Sequence, residues 1–189
     1  MLNGVLEHWK LNHNNFMKRK DIIKKKGMTL VETLVAIAIM SLLVVSAVSL
    51  LVNTAKNEKR NRAITEVEYQ ASAIIYEITQ SIRNANAITS PASAGATSTS
   101  LTLALTSVPA ENPTIFSFSS PTITVSRGGG GGRVISSNMI EVTSLVFQNI
   151  SATSTKGAIR ISLAVKSANP NNEPELEYST ARTTTVTLR

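Results

Sequence analysis

The sequence predicts an α+β protein: one long N-terminal helix followed by a small antiparallel β-rich domain. Three observations carry that expectation. Leu34 to Val52 is a run of 19 residues without a charge. Apolar residues then recur at helical spacing as far as Ala85, and no proline interrupts them. From Thr89 onward the composition turns to Ser, Thr, Ala, Gly and Pro, and short alternating segments follow.

The chain has 189 residues and a formal net charge of +7. Most of that charge lies at the start. Met1 to Gly27 holds seven basic residues against two acids, a net +5, whereas Met28 to Arg189 holds twelve against ten, a net +2. The basic balance therefore belongs to a leader and does not point to a nucleic-acid-binding domain.

Absences narrow the function. The chain has no cysteine, and His8, Trp9, His13 and Asp21 all precede Met28. From Met28 on there is no His, Cys, Asp or Trp. Nucleophilic triads need an imidazole to move the proton, and zinc sites draw mainly on His and Cys. The expectation is no enzyme of those kinds and no cofactor or metal.

The first element is the apolar run. At 1.5 Å per residue, 19 helical residues reach across roughly the ~30 Å hydrocarbon core of a bilayer. A secretory signal would have a shorter apolar region of about 7–15 residues with a small-residue cleavage site after it. Here the run continues into helix-forming sequence. Six basic residues lie between Lys18 and Lys26, and four (Lys56, Lys59, Arg60, Arg62) follow the run. That bias favours the N-terminus in the cytoplasm and the C-terminal domain outside.

The junction reads Lys24-Lys25-Lys26-Gly27-Met28-Thr29-Leu30-Val31-Glu32-Thr33-Leu34. A lone acid at the edge of a membrane helix is costly and usually has a role. Thr29 and Glu32 also fit a capping box, which would be a purely structural reason for the acid. Taken together, the basic leader, Gly27, Thr29-Leu30, Glu32 as fifth residue after the glycine and the apolar run resemble the cleavage and methylation motif of type IV prepilins and type II secretion pseudopilins. The resemblance covers about 30 residues.

It implies cleavage after Gly27 by a membrane prepilin peptidase and N-methylation of Met28, where most relatives carry Phe. It implies partners in other pilin or pseudopilin subunits, an inner-membrane assembly platform and the lipid bilayer, with DNA or surface ligands met through the filament. Glu32 would neutralise the Met28 amine of a neighbouring subunit and so set the filament register. The fold implied is the pilin ladle: residues 1–27 a cleaved leader, 28–52 a membrane and filament-core helix, 53–88 an amphipathic helix, 89–189 the β-rich bowl. The rival is a bitopic membrane protein that keeps its leader and carries an outer binding domain.

The amphipathic half has its stripe at Ile64, Val67, Ala71, Ile74, Ile78, Ile82 and Ala85, with Glu66, Gln70, Glu77, Gln80 and Arg83 opposite. Asn53, Asn57 and Asn61 cluster, and Thr65-x-x-Glu68 offers a second cap, so a break between 53 and 65 is an open alternative. Expected strands are Ser100–Leu105, Thr114–Phe118, Thr122–Ser126, Arg133–Ile135, Ile140–Phe147, Ala158–Lys166 and Thr183–Leu188.

Few loop segments carry chemistry. Gly128 to Gly132 lacks the Lys-Ser/Thr of a phosphate loop and reads as a hairpin, or else as a contact loop for DNA or a surface. Glu173, Glu175 and Glu177 read as a solvated loop. Some pilins bind calcium in such loops, but no Asp is present here. Asn149-Ile150-Ser151 fits a glycosylation sequon. Tyr76 to Ala85 and Thr183 to Arg189 resemble J-type pseudopilins and W-type minor pilins, which favours a minor subunit.

Overall fold

The computed structural model describes residues 27–152 and 157–189. The basic leader before Gly27 lies outside them. The described residues divide into two units, one that ends at Ser49 and one that runs from Leu50 to Arg189.

Helix α1 runs from Leu30 to Asn84. Thr29 starts it: its Oγ1 accepts the Glu32 backbone N–H at 3.3 Å, and its carbonyl accepts that of Thr33 at 3.1 Å. This is an N-cap, which satisfies one of the donors a helix start leaves open. The expected continuation to residue 88 does not occur. The Ala85 N–H turns back to the Ile82 carbonyl at 3.1 Å, and the Asn86 N–H is given to Ala104 at 2.8 Å. The Asn86 carboxamide meanwhile accepts from Ser107. The chain is thus handed to the sheet as soon as the helix ends.

No break interrupts residues 53–65. Thr54 bonds back to the Leu50 carbonyl at 2.9 Å, and Arg62 pairs with Glu58 one turn away. Lys56 and Lys59 are held by Glu175 and Glu173, each at 3.2 Å. Glu68, which a second cap at Thr65 would need, is engaged elsewhere.

Nine strands follow among the described residues. β1 (Ala87–Ser90), β3 (Ser100–Ala104), β4 (Thr114–Ser119), β5 (Thr122–Arg127) and β6 (Arg133–Val134) form a five-stranded sheet in the order β1-β3-β4-β5-β6. β2 (Thr97–Ser98), β7 (Ile140–Asn149), β8 (Ala158–Ser167) and β9 (Ser179–Thr187) form a second, four-stranded sheet in the order β2-β7-β8-β9. All pairings are antiparallel. The expected α+β class holds, and the antiparallel β-rich part is built of two sheets.

One core cluster joins the sheets to the helix. Helix residues Val67, Ala71, Ile74, Ile78 and Ile82, with Ala85 just beyond the last turn, lie in it with Leu101, Leu103, Phe116 and Ile123 of the first sheet and Leu145, Phe147, Ile159, Ile161 and Leu163 of the second. The stripe begins at Ala63, and Ile64 is only half-buried. The face away from the core is only in part the one expected from charge: Arg83 is exposed as expected. Tyr69 and Tyr76, seven residues apart, stand exposed there. Glu66, Gln70, Glu77 and Gln80 are half-buried at the flanks.

Candidate functional site

The N-terminal end of α1 combines an accessible backbone, one carboxylate and a wide apolar surface. Gly27 and Met28 precede the helix and are exposed, and a Cβ placed on Gly27 would meet nothing within 4 Å. Gly27 and Met28 thus lie immediately before the Thr29 cap. Glu32 is exposed in the first turn of the helix. Its backbone N–H serves the cap, which leaves the carboxylate side chain available to a partner. A negative charge in the first turn also suits the positive end of the helix dipole.

From Met28 to Val52 the large apolar side chains are exposed all round the helix: Leu34, Ile37, Met40, Leu43, Leu50 and their neighbours are about half accessible or more. Water does not tolerate so large an apolar surface, so this segment belongs in lipid or against other helices. By length and composition α1 can cross a membrane. Its hydroxyls are adapted to such a setting. Thr33, Ser41 and Ser46 each donate to the carbonyl three residues back at 2.8 Å, so these three hydroxyls do not require water.

In the second unit the helix is held to the β-domain by polar contacts as well as by its stripe. The Glu68 carboxylate accepts from the Tyr178 hydroxyl at 2.7 Å and pairs with Arg182 on β9. These hydrogen bonds, Tyr178 first, then Arg182 and Thr180, lower its pKa from 4.5 to about 2. Glu77 receives Arg133 at 2.6 Å and Arg127 at 3.4 Å. The two arginines that bracket the glycine loop therefore end on the helix, and Arg127 also reaches Glu111 at 3.4 Å.

The loop residues singled out from sequence are thereby accounted for. The glycines form the β5–β6 turn. Glu177 is exposed, as expected of a solvated loop, while Glu173 and Glu175 pair at the surface with Lys59 and Lys56, and the Lys56 contact helps lower the Glu175 pKa after that residue's own backbone hydrogen bond. Among the described residues no group of three His, Cys, Asp or Glu could hold a metal.

Asn149 of the sequon is buried. Its amide donates to the Pro91 and Ala92 carbonyls at 2.7 and 3.3 Å, and its oxygen accepts from Ser151 N–H at 3.0 Å. The folded chain offers no acceptor nitrogen there. A partly open polar cleft of about 570 Å³ lies between Glu141, Lys166, Asn169, Asn172, Glu177 and Tyr178. Sequence reading missed it because its walls come from segments well apart in the chain.

The fold and its exposed helix thus define a class: a β-rich domain on an N-terminal membrane-type helix. Residues 23–48 match the prokaryotic N-terminal methylation motif, which is characteristic of type IV pilins and pseudopilins. That motif belongs to structural subunits, and it fits inner-membrane anchoring, prepilin-peptidase processing and assembly with other pilin-like chains. No curated protein and no solved structure matches the chain.

Proposed function

We propose that this chain is a prepilin-like structural subunit, cut after Gly27, N-methylated at Met28, and built through its apolar helix into a type IV pilus or a type II secretion pseudopilus. The observation that carries the reading is a single exposed acid, Glu32, at the head of a helix whose next 20 residues expose almost nothing but apolar side chains. Such a surface needs lipid before assembly and neighbouring helices after it. Cleavage supplies an α-amine at Met28, and methylation keeps its positive charge. In an apolar filament core each charge would be costly alone, so Glu32 of one subunit pairs with the Met28 amine of the next and only the correct stagger satisfies both.

The β-domain then faces outward and the N-terminus inward before extraction from the membrane. Its resemblance to J- and W-type subunits over Tyr76 to Ala85 and Thr183 to Arg189 supports a minor, tip- or initiation-type position. Mass spectrometry of the chain from its native membrane tests the processing. A mature chain that begins at N-methylated Met28 is expected. A chain that keeps Met1 beside a competent prepilin peptidase would instead favour the membrane-anchored binding-domain reading. The minor position is tested by abundance in sheared filaments, where this chain should be scarce relative to the main subunit.

A further inference from the structure

We propose that the bare face of α1 beside the β-domain is the seat for the processed head of a second copy of this chain, which lies parallel to it and thirty residues out of step. The contact rests on the processing and filament reading above. Two adjacent copies suffice for it, however scarce the subunit is in the filament.

Glu58, Arg62, Thr65, Tyr69, Ser72 and Tyr76 follow one another along α1 at steps of four and three, and all six are exposed. They form one straight stripe on the side of the helix opposite Val67, Ala71, Ile74 and Ile78, which enter the core. Its two charges engage only each other, as an ion pair one turn apart.

The mature head carries the same spacing thirty residues earlier, in Met28, Glu32, Val35, Ile39, Leu42 and Ser46, and these too are all exposed. Laid side by side in parallel, the two stripes set opposite charges together and large residues beside small. The Met28 amine meets Glu58, and Glu32 meets Arg62. Leu42 lies over Ser72, and Ser46 lies beside Tyr76. The four charges sum to zero, so none enters an apolar interface uncompensated. Each carboxylate has two oxygens, so Glu32 can hold Arg62 and the amine of an adjacent head together.

The head therefore needs an acid followed four residues later by a cation. In α1 beyond its first turn, Glu58 precedes Arg62, whereas Glu66, Glu68 and Glu77 precede Gln70, Ser72 and Ser81. One stagger alone satisfies both charges, and charge complementarity of this kind fixes register. At 1.5 Å per residue the step is about 45 Å. A parallel stagger keeps every N-terminus pointing the same way. It joins two different surfaces, and repetition of such a contact builds an open filament.

The chain has no cysteine, so introduced thiols report the register cleanly. Leu42→Cys with Ser72→Cys places two thiols opposite each other across the proposed contact. Leu42→Cys with Thr65→Cys uses the same face about 10 Å out of step, beyond disulfide reach. Mildly oxidised filaments from native cells should give disulfide-linked oligomers from the first pair at about tenfold the yield of the second or more. Glu58→Arg combined with Arg62→Glu reverses both charges and keeps the intrahelical pair. In the Leu42→Cys, Ser72→Cys chain this reversal should leave folding and cleavage after Gly27 intact and lower the oligomer yield about tenfold. Chains that begin at Met28 and enter filaments, yet give equal yields from the two cysteine pairs or oligomers indifferent to the reversal, would overturn the contact and leave the proposed function standing. A disulfide formed only with a different protein would overturn the second copy as occupant. Chains that keep Met1 would overturn both readings.

Discussion

Glu68 on the helix accepts the hydroxyl of Tyr178, 110 residues further along the chain, at 2.7 Å. The contact ties the middle of α1 to the residue just before β9, and Arg182 from β9 completes it. It also makes the β-domain sensitive to acid. The carboxylate is held at a pKa of about 2 when folded against an ordinary 4.5. A depressed folded pKa contributes stability above the unfolded value, and that contribution is lost as pH falls through 4.5 toward 2. Thermal melts of wild type should therefore decline across this window. Glu68→Gln should start lower by about 1 kcal/mol at neutral pH, a hydrogen bond to a charged group discounted for partial exposure, and decline less steeply between pH 5 and about 2. Parallel curves for the two chains would show that Glu68 is not the sensor. Tyr178 has its own pKa raised by the same partner, so its contribution persists below the ordinary tyrosine range and is lost only in strong alkali.

The glycine loop is not uniformly permissive. Gly128 has φ +61, and a Cβ there would lie 2.1 Å from the Ala110 carbonyl oxygen. Its N–H also donates to the Pro113 carbonyl at 3.0 Å. A Cβ on Gly131 would meet nothing within 4 Å, and its φ is not positive. Gly128→Ala should cost about 2–4 kcal/mol, because it combines a disfavoured backbone region with a clash against backbone. Gly131→Ala should stay within about 0.5 kcal/mol of wild type. Urea titration of both variants checks the contrast. If the five glycines serve flexibility alone, the two substitutions will be alike.

Asn149 should carry no glycan, and its removal should be felt in stability. Its side chain joins the Pro91–Ala92 segment to the end of β7. Asn149→Ala leaves two carbonyls without that donor and should cost about 1–3 kcal/mol. Peptide mapping should find residue 149 unmodified in the folded, membrane-extracted chain. A glycan at that nitrogen would contradict its burial.

Those three sites show where sequence reading reaches its limit. The helix was legible because periodicity is local: Val67, Ala71, Ile74, Ile78 and Ile82 announce one face without knowledge of what it meets. β8 was legible because Ile159, Ile161, Leu163 and Val165 alternate with the residues between them. β1 and β2 were not, since four and two residues are too few to alternate. The first half of β9, Ser179 to Arg182, has no large apolar residue to signal a strand and exists because β8 templates it. Likewise the roles of Glu68, Glu77, Lys56 and Lys59 depend on residues from about 50 to more than 110 positions away. A charge on a helix wheel looks solvent-facing until its partner is known. The Gly27–Glu32 segment stood out in the sequence because its motif lies in consecutive residues.

The same segment yields the most direct test of assembly. Glu32 is exposed, and the helix start depends on the Thr29 hydroxyl and the Glu32 backbone, not on the Glu32 carboxylate. Glu32→Ala and Glu32→Gln should therefore fold, insert and be cleaved after Gly27 like wild type. The difference should appear when the helices leave the bilayer. On the proposed pairing, loss of the carboxylate would leave the Met28 amine of a neighbour uncompensated in an apolar core, and an unpaired buried charge costs several kcal/mol. That penalty corresponds to a loss of incorporation of about tenfold or more, since each ~1.4 kcal/mol is a factor of ten. Glu32→Gln separates charge from shape: it keeps the side chain's size and hydrogen-bonding capacity yet cannot neutralise an ammonium. Sheared filaments should contain little of either variant while membranes retain both at wild-type levels. If Glu32→Gln enters filaments normally and Glu32→Ala does not, the carboxylate acts through packing or hydrogen bonding. If both enter normally, register is set elsewhere along the apolar helix and the pairing role of Glu32 is wrong.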